Sequence, residues 1–147
     1  MAMPRTAGGG FDSAVIDKEN RVVALVQVKA GSVENWGLVL SRILPNVAEQ
    51  VEFILAVDLQ HIFLYRPEGQ NLGEPIVRFD TPQILKLYDP GIAAKRVFYD
   101  YLVTLAEAWL RDLAYHWKSE NPPGSEELKS TGLLERIAGG TTVRPGD

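Results

Sequence analysis

The sequence predicts a single α/β domain in which a central mixed sheet lies between helices. Three observations lead to this prediction. The length of 147 residues suits one domain with a sizeable core. Hydrophobic residues make up 46% of the chain and charged residues 23%, which is typical of a soluble globular protein. Two strand hairpins, separated by one amphipathic helix, precede a long second helix.

The first hairpin is the clearest local pattern. Residues 11–17 and 21–30 are rich in β-branched side chains, and a short polar turn joins them. Residues 22–26 are apolar at every position, which predicts a central strand that is covered on both faces.

The next segment predicts a helix. Ser32 is its expected N-cap, and apolar residues recur at helical spacing until Pro45 ends the helix near Leu44. The later elements predicted by the same criteria are strands at 51–57, 61–65 and, at the sheet edge, 75–79, then helices at 81–87, 93–117 and 125–137.

We expect residues 1–10 to be a flexible N-terminal segment, 11–120 the folded domain, and 121–147 a linker with a C-terminal helix and tail. The first ten residues lack the apolar stretch of a signal peptide, and no apolar run is long enough to span a bilayer. The predicted location is therefore the cytoplasm, without a membrane partner.

Composition removes several classes of chemistry. The chain has no cysteine, which excludes disulfide frameworks, thiolate metal sites and cysteine nucleophiles. Its two histidines, His61 and His116, have no acidic residues at ligand spacing and are interpreted as surface or core-edge residues. The net charge of −4 argues against coating nucleic acid through bulk charge. Basic residues such as Lys95 and Arg96 are scattered, so order alone predicts no basic patch.

Polar residues near the ends of the first hairpin are the candidate site. A turn centred between residues 19 and 20 pairs Asp12 with Gln27, Ala14 with Leu25 and Ile16 with Val23. Directly paired residues share a sheet face, and Lys29 shares the face of Gln27. The sequence therefore predicts that Asp12, Gln27 and Lys29 meet at one end of the hairpin.

This trio suits metal-assisted hydrolysis of a phosphodiester. The side-chain oxygens of Asp12 and Gln27, with the backbone carbonyl of Val28, are ligands that Mg²⁺ or Mn²⁺ accepts. The metal would polarise the phosphate and activate a water, while Lys29 would orient that water or stabilise the developing charge.

Asp12 and the later Gln27-Val28-Lys29 resemble the Asp…(Asp/Glu)-x-Lys signature of the PD-(D/E)XK, or restriction-endonuclease-like, nuclease superfamily. The Gln-x-Lys variant is similar to that of the Mrr-like branch. The second hairpin and the Trp-Leu-Arg-Asp-Leu run at 109–113 also resemble uncharacterised bacterial members, and the resemblance covers most of residues 10–117. It implies a restriction-endonuclease-like sandwich that hydrolyses DNA, with Asp12 and Gln27 as metal ligands and Lys29 as the catalytic lysine.

The chain departs from that pattern at three points. Phe11 replaces the usual proline, Gln27 replaces an acid, and residues 1–10 do not supply the usual leading helix. That missing helix would leave apolar sheet surface uncovered, which predicts a homodimer. The alternative function is a catalytically inactive module for nucleic-acid binding or protein assembly. In the simplest structural alternative, Asp12 and Lys29 form an ion pair with Gln27 hydrogen-bonded beside them.

Overall fold

The computed structural model describes residues 10–47 and 51–145, and six strands within them form one mixed sheet. The strands are β1 (Ser13–Ile16), β2 (Val22–Val28), β3 (Phe53–Val57), β4 (His61–Tyr65), β5 (Val77–Asp80) and β6 (Thr141–Val143). The predicted flexible segment 1–10 lies outside the described residues except for Gly10.

The order of strands across the sheet is β5-β4-β3-β2-β1-β6. Strands β2 and β3 are parallel, and every other neighbouring pair is antiparallel. A parallel pair needs a crossover connection, which here contains the first helix. The prediction of an α/β domain with a mixed sheet is therefore confirmed.

Five α-helices and two single 3₁₀ turns connect the strands in the described ranges. The helices are α1 (Trp36–Ile43), α2 (Thr81–Leu85), α3 (Tyr99–Tyr115), α4 (Ser125–Lys129) and α5 (Leu133–Ile137), and the 3₁₀ turns are Leu44–Asn46 and Ile92–Ala94. None of these helices is both long enough and apolar enough to cross a bilayer.

Each face of the sheet has its own hydrophobic core. On one face α3 and the C-terminal helices pack on the sheet, with Trp109, Leu102 and Leu128 fully buried. On the other face α1 packs through Trp36 and Leu40. Apart from Gln27, the central strand β2 is apolar because it contributes to both cores.

The register of the first hairpin agrees with the prediction only in part. Ala14 lies opposite Leu25, as predicted. The predicted pairing of Ile16 with Val23 is wrong, because an irregularity after Val15 places Ile16 opposite Val22. Such an extra residue changes the face on which the following side chains lie.

Two helices begin later than predicted. Asn35, and not Ser32, caps α1, where its Oδ1 accepts a hydrogen bond from the Leu38 N–H at 3.0 Å. The long helix begins at Tyr99 rather than at residue 93, because the backbone at Lys95 and Phe98 is extended, with ψ of 161° and 165°. Near the start of this helix Tyr101 is 39% exposed.

The chain beyond residue 120 completes the domain instead of forming a linker and tail. Leu128, Leu133 and Ile137 are buried in the core beneath α3. The predicted single helix is divided at Gly132, whose φ of +87° breaks helical geometry. Strand β6, which the sequence did not predict, pairs with β1 and becomes the sheet edge.

Gly140 joins α5 to β6 where two backbones are in contact. A Cβ at this position would overlap the carbonyl oxygen of Ile16. We predict that Gly140→Ala lowers the free energy of unfolding by about 3 kcal/mol, because backbone cannot move aside as a flexible side chain can. Urea denaturation measures this change.

Gly31→Ala is the matched control, since a Cβ on Gly31 has no neighbour within 4 Å. Its free energy of unfolding should stay within roughly 0.5 kcal/mol of the wild-type value. Equal losses in both variants would contradict the close packing of β6 against β1.

Candidate functional site

The carboxylate of Asp12 is held by two donors just before β1. Its Oδ2 accepts a hydrogen bond from the Val28 N–H at 2.6 Å, and its Oδ1 accepts one from the Tyr99 hydroxyl. Burial and this hydrogen bond raise the pKa of Tyr99 to about 12, so the phenol stays protonated at neutral pH. Asp12 therefore joins the end of β2 to the start of α3.

Gln27 faces the other layer of the protein. It lies opposite Ala56 of β3, which belongs to the core beneath α1, whereas the neighbouring Val28 belongs to the core beneath α3. The Gln27 side chain is buried, and its Oε1 has no hydrogen-bond partner among the described residues. The sheet thus separates the amide of Gln27 from the helix that binds Asp12.

Lys29 follows the last residue of β2 and is exposed. Its backbone N–H donates to the Val57 carbonyl at 2.9 Å, which continues the pairing with β3. Within residues 10–47 and 51–145, no ion pair joins its ammonium group to Asp12. The structure therefore brings Asp12 and Lys29 to the same end of the hairpin without the expected contact between them.

This arrangement does not fit the predicted magnesium site. Both oxygens of Asp12 already accept hydrogen bonds, and the amide oxygen of Gln27 is enclosed on the other face of the sheet. No group of three histidine, cysteine or acidic side chains suited to a metal occurs in the described part of the chain. Magnesium is usually held by one or two carboxylates together with waters, and here the carboxylate of Asp12 is already bound by two protein donors.

A cleft of about 340 Å³ opens at the same end of the sheet, which we call the edge cleft. Ala30 and Leu59, which follow β2 and β3, line it on one side. Lys95 and Arg96 line it from the segment that leads into α3. The order of residues did not predict this surface, because Lys95 and Arg96 meet the ends of β2 and β3 only in the folded chain.

Flat aromatic side chains continue this surface. Phe98 is 64% exposed, and the Arg96 guanidinium carbon lies 5.2 Å from the centre of its ring. The ammonium of Lys95 donates to Asp89 at 2.8 Å, which raises the pKa of the lysine. The run Lys95-Arg96-Val97-Phe98-Tyr99, in which cations precede aromatics, is the sequence signal that indicates such a surface.

Glu107 is a buried acid that the sequence analysis did not single out. Its Oε2 accepts a hydrogen bond from the Ser13 hydroxyl at 2.8 Å, and its Oε1 forms an ion pair with Arg144 Nη2, also at 2.8 Å. Ser13 is fully buried, so the contact fastens β1 and the chain after β6 to α3. Its role is structural.

Comparisons of the chain with protein-family models, with curated proteins and with solved structures found no match.

The burial of Gln27 leads to a test of the metal hypothesis. We predict that Gln27→Glu, which places the acid of the PD-(D/E)XK pattern at this position, lowers the free energy of unfolding by about 3 kcal/mol at neutral pH, because it buries a carboxylate without a partner. The loss should vanish below pH ~4 and grow as pH rises, since burial raises the pKa of a carboxyl above its unfolded value. Thermal melting over this pH range measures it.

Gln27→Leu is the matched control for this variant. It removes the unpartnered oxygen at similar volume and should leave stability unchanged or raise it by up to ~1 kcal/mol. Magnesium should stabilise neither variant. A magnesium-dependent rise in the melting temperature of Gln27→Glu alone would instead support a metal site at this position.

Proposed function

We propose that this domain has the restriction-endonuclease-like fold and binds nucleic acid at the end of the sheet that carries Lys29, Arg96 and Phe98, without metal-dependent cleavage. The sequence left open a catalytically inactive module for nucleic-acid binding or protein assembly, and of these two roles we propose nucleic-acid binding. The observation that carries it is the exposed Arg96–Phe98 pair beside the edge cleft.

The arrangement of strands supports the lineage. The hairpin with the Asp…Gln-x-Lys residues lies centrally in a mixed sheet, and a helix-containing crossover leads from its second strand to a parallel neighbour. Helices cover both faces of that sheet. These features agree with the sandwich that the resemblance implies.

Charge and shape at the edge cleft support nucleic-acid binding. Lys29 and Arg96 supply exposed cations for phosphates, and Phe98 offers a ring on which a base can stack. A local cationic surface is compatible with a chain whose net charge is −4.

The contacts of Asp12 argue against cleavage. A nuclease of the predicted type needs the carboxylate, the residue at position 27 and a metal on one side of the sheet. Here Asp12 contacts Tyr99 of α3, whereas the Gln27 side chain lies in the core beneath α1. The metal-dependent DNA nuclease remains the competing hypothesis, favoured by the exposed Lys29 at the end of β2.

A plasmid assay separates the two hypotheses. We predict that the wild-type protein leaves supercoiled DNA intact in the presence of Mg²⁺ or Mn²⁺. Lys29→Ala, prepared identically, controls for contaminating nucleases. Metal-dependent nicking by the wild-type protein that disappears in Lys29→Ala would overturn the inactive module and establish the nuclease.

Binding is tested by fluorescence anisotropy with labelled duplex and single-stranded oligonucleotides over a range of salt concentrations. We predict that Arg96→Ala weakens binding and lowers the slope of log K against log salt by about one, since it removes one phosphate contact. Arg42→Ala, which removes an exposed charge from the last turn of α1, is the matched control and should change neither quantity. Equal effects of the two substitutions would indicate non-specific charge attraction.

A further inference from the structure

A second concave surface lies on the opposite side of the β3–β4 turn. Its volume is about 430 Å³, within the range of small-molecule sites (roughly 300–1,000 Å³). Phe63 and His61 of β4 lie in it, Trp36 of α1 lines one wall, and Arg78 of β5 lines the other. We call it the aromatic groove.

The groove exists because α1 is short. Its eight residues cover the centre of the sheet, whereas Phe63 and His61 stay half-buried and Arg78 is exposed. Successive aromatic side chains of β4 share this face, with ring centres 5.6 Å apart for His61 and Phe63 and 6.4 Å apart for Phe63 and Tyr65. A row of flat rings is thus presented along one strand.

Polar side chains also line the aromatic groove, and some of them are exposed to a ligand. Arg78 Nη2 lies 2.9 Å from His61 Nε2, so the guanidinium is held against the edge of the imidazole ring. The exposed carboxylates of Glu34 and Glu74, and the amides of Asn35 and Gln60, line the same groove. The lining therefore combines aromatic surface with hydrogen-bond acceptors and one cation.

This composition selects the chemistry of the ligand. Two carboxylates disfavour a phosphate inside the groove, but they accept hydrogen bonds from ring N–H and amino groups. Stacking on an aromatic face together with hydrogen bonds to the base edge is how proteins bind unpaired bases. A heteroaromatic base fits both properties of this surface.

The groove is continuous with the edge cleft. A third depression shares Gln60 and His61 with the aromatic groove, and it shares Leu59 and Pro82 with the edge cleft. One path therefore runs around the β3–β4 turn from the aromatic rings to Arg96. A base in the groove would have its neighbouring phosphates directed toward the cationic end of this path.

We infer that the aromatic groove binds a nucleobase that carries an amino group, stacked on Phe63 and hydrogen-bonded to Glu34 or Glu74. The base belongs either to a single strand whose backbone continues into the edge cleft or to a free nucleotide. The strand form rests on the proposed function, whereas the nucleotide form does not. Neither form uses Asp12, Gln27 or Lys29.

The test measures the binding affinities of the wild-type protein, Phe63→Leu and Phe63→Tyr. The ligands are single strands of about 15 nucleotides, both DNA and RNA, and a blunt duplex. Loss of one stacking contact predicts about ten-fold weaker single-strand binding by Phe63→Leu. Phe63→Tyr keeps the ring and should bind as the wild type does. Duplex binding should be the same in all three proteins.

Strands of cytosine or adenine should bind more tightly than strands of thymine, and Glu34→Gln with Glu74→Gln should reduce this preference.

Calorimetric titration with nucleoside monophosphates forms the second arm. If Phe63→Leu abolishes the binding of nucleoside monophosphates but leaves the affinity for single strands unchanged, the groove is assigned to a free nucleotide. If Phe63→Leu matches the wild type with every strand and nucleotide while both proteins melt at the same temperature, the groove proposal is overturned. The proposed function then still stands if Arg96→Ala weakens binding. If the wild-type protein binds neither single strands nor the duplex, the proposed function is overturned, and the nucleotide arm alone then decides the groove.

Discussion

The carboxylate of Asp58 joins the segments that form both concave surfaces. It is 1% exposed and accepts hydrogen bonds from the Trp36 indole at 2.9 Å and from the Gln60 and His61 N–H groups at 2.8 and 2.7 Å. Its backbone carbonyl accepts a further bond from the Thr81 hydroxyl at 2.8 Å. A buried charge is tolerated only with such partners, so α1, the β3–β4 turn and the start of α2 are held in fixed positions. The aromatic groove and the edge cleft lie on either side of this turn.

The division of the motif between two sheet faces determines what the site can do. Gln27 lies within β2 and faces the core beneath α1, whereas Asp12 precedes the first residue of β1 and contacts Tyr99 of α3. A glutamine is compatible with this burial because it is uncharged, whereas an acid would require a cation or a donor there. Gln27, which resembles the glutamine of the Gln-x-Lys variant, is therefore also a residue that suits enclosure in a core.

Much of the fold was predictable because local patterns determine it. The strand at His61–Tyr65 and the helix end before Pro45 follow from hydrophobic alternation and from the missing proline N–H. Strand β6 was not predictable, since three residues after Gly140 become a strand only by pairing with β1. The late start of α3 was not predictable either, since no helical pattern reveals the ion pair between Lys95 and Asp89 in the extended segment before it. Ala30, Leu59 and Arg96 likewise come together at the edge cleft only through the tertiary fold.

The most direct test of the account is the mapping of backbone amide NMR shifts of the wild-type protein during titration with a single-stranded oligonucleotide. We predict that the amide chemical shifts of Gln60, Phe63 and Arg96 change along one binding curve, because these residues lie along one path around the turn held by Asp58. Shifts that are absent from this path, or that occur only beside Asp12 and Val28 when magnesium is added, would contradict it.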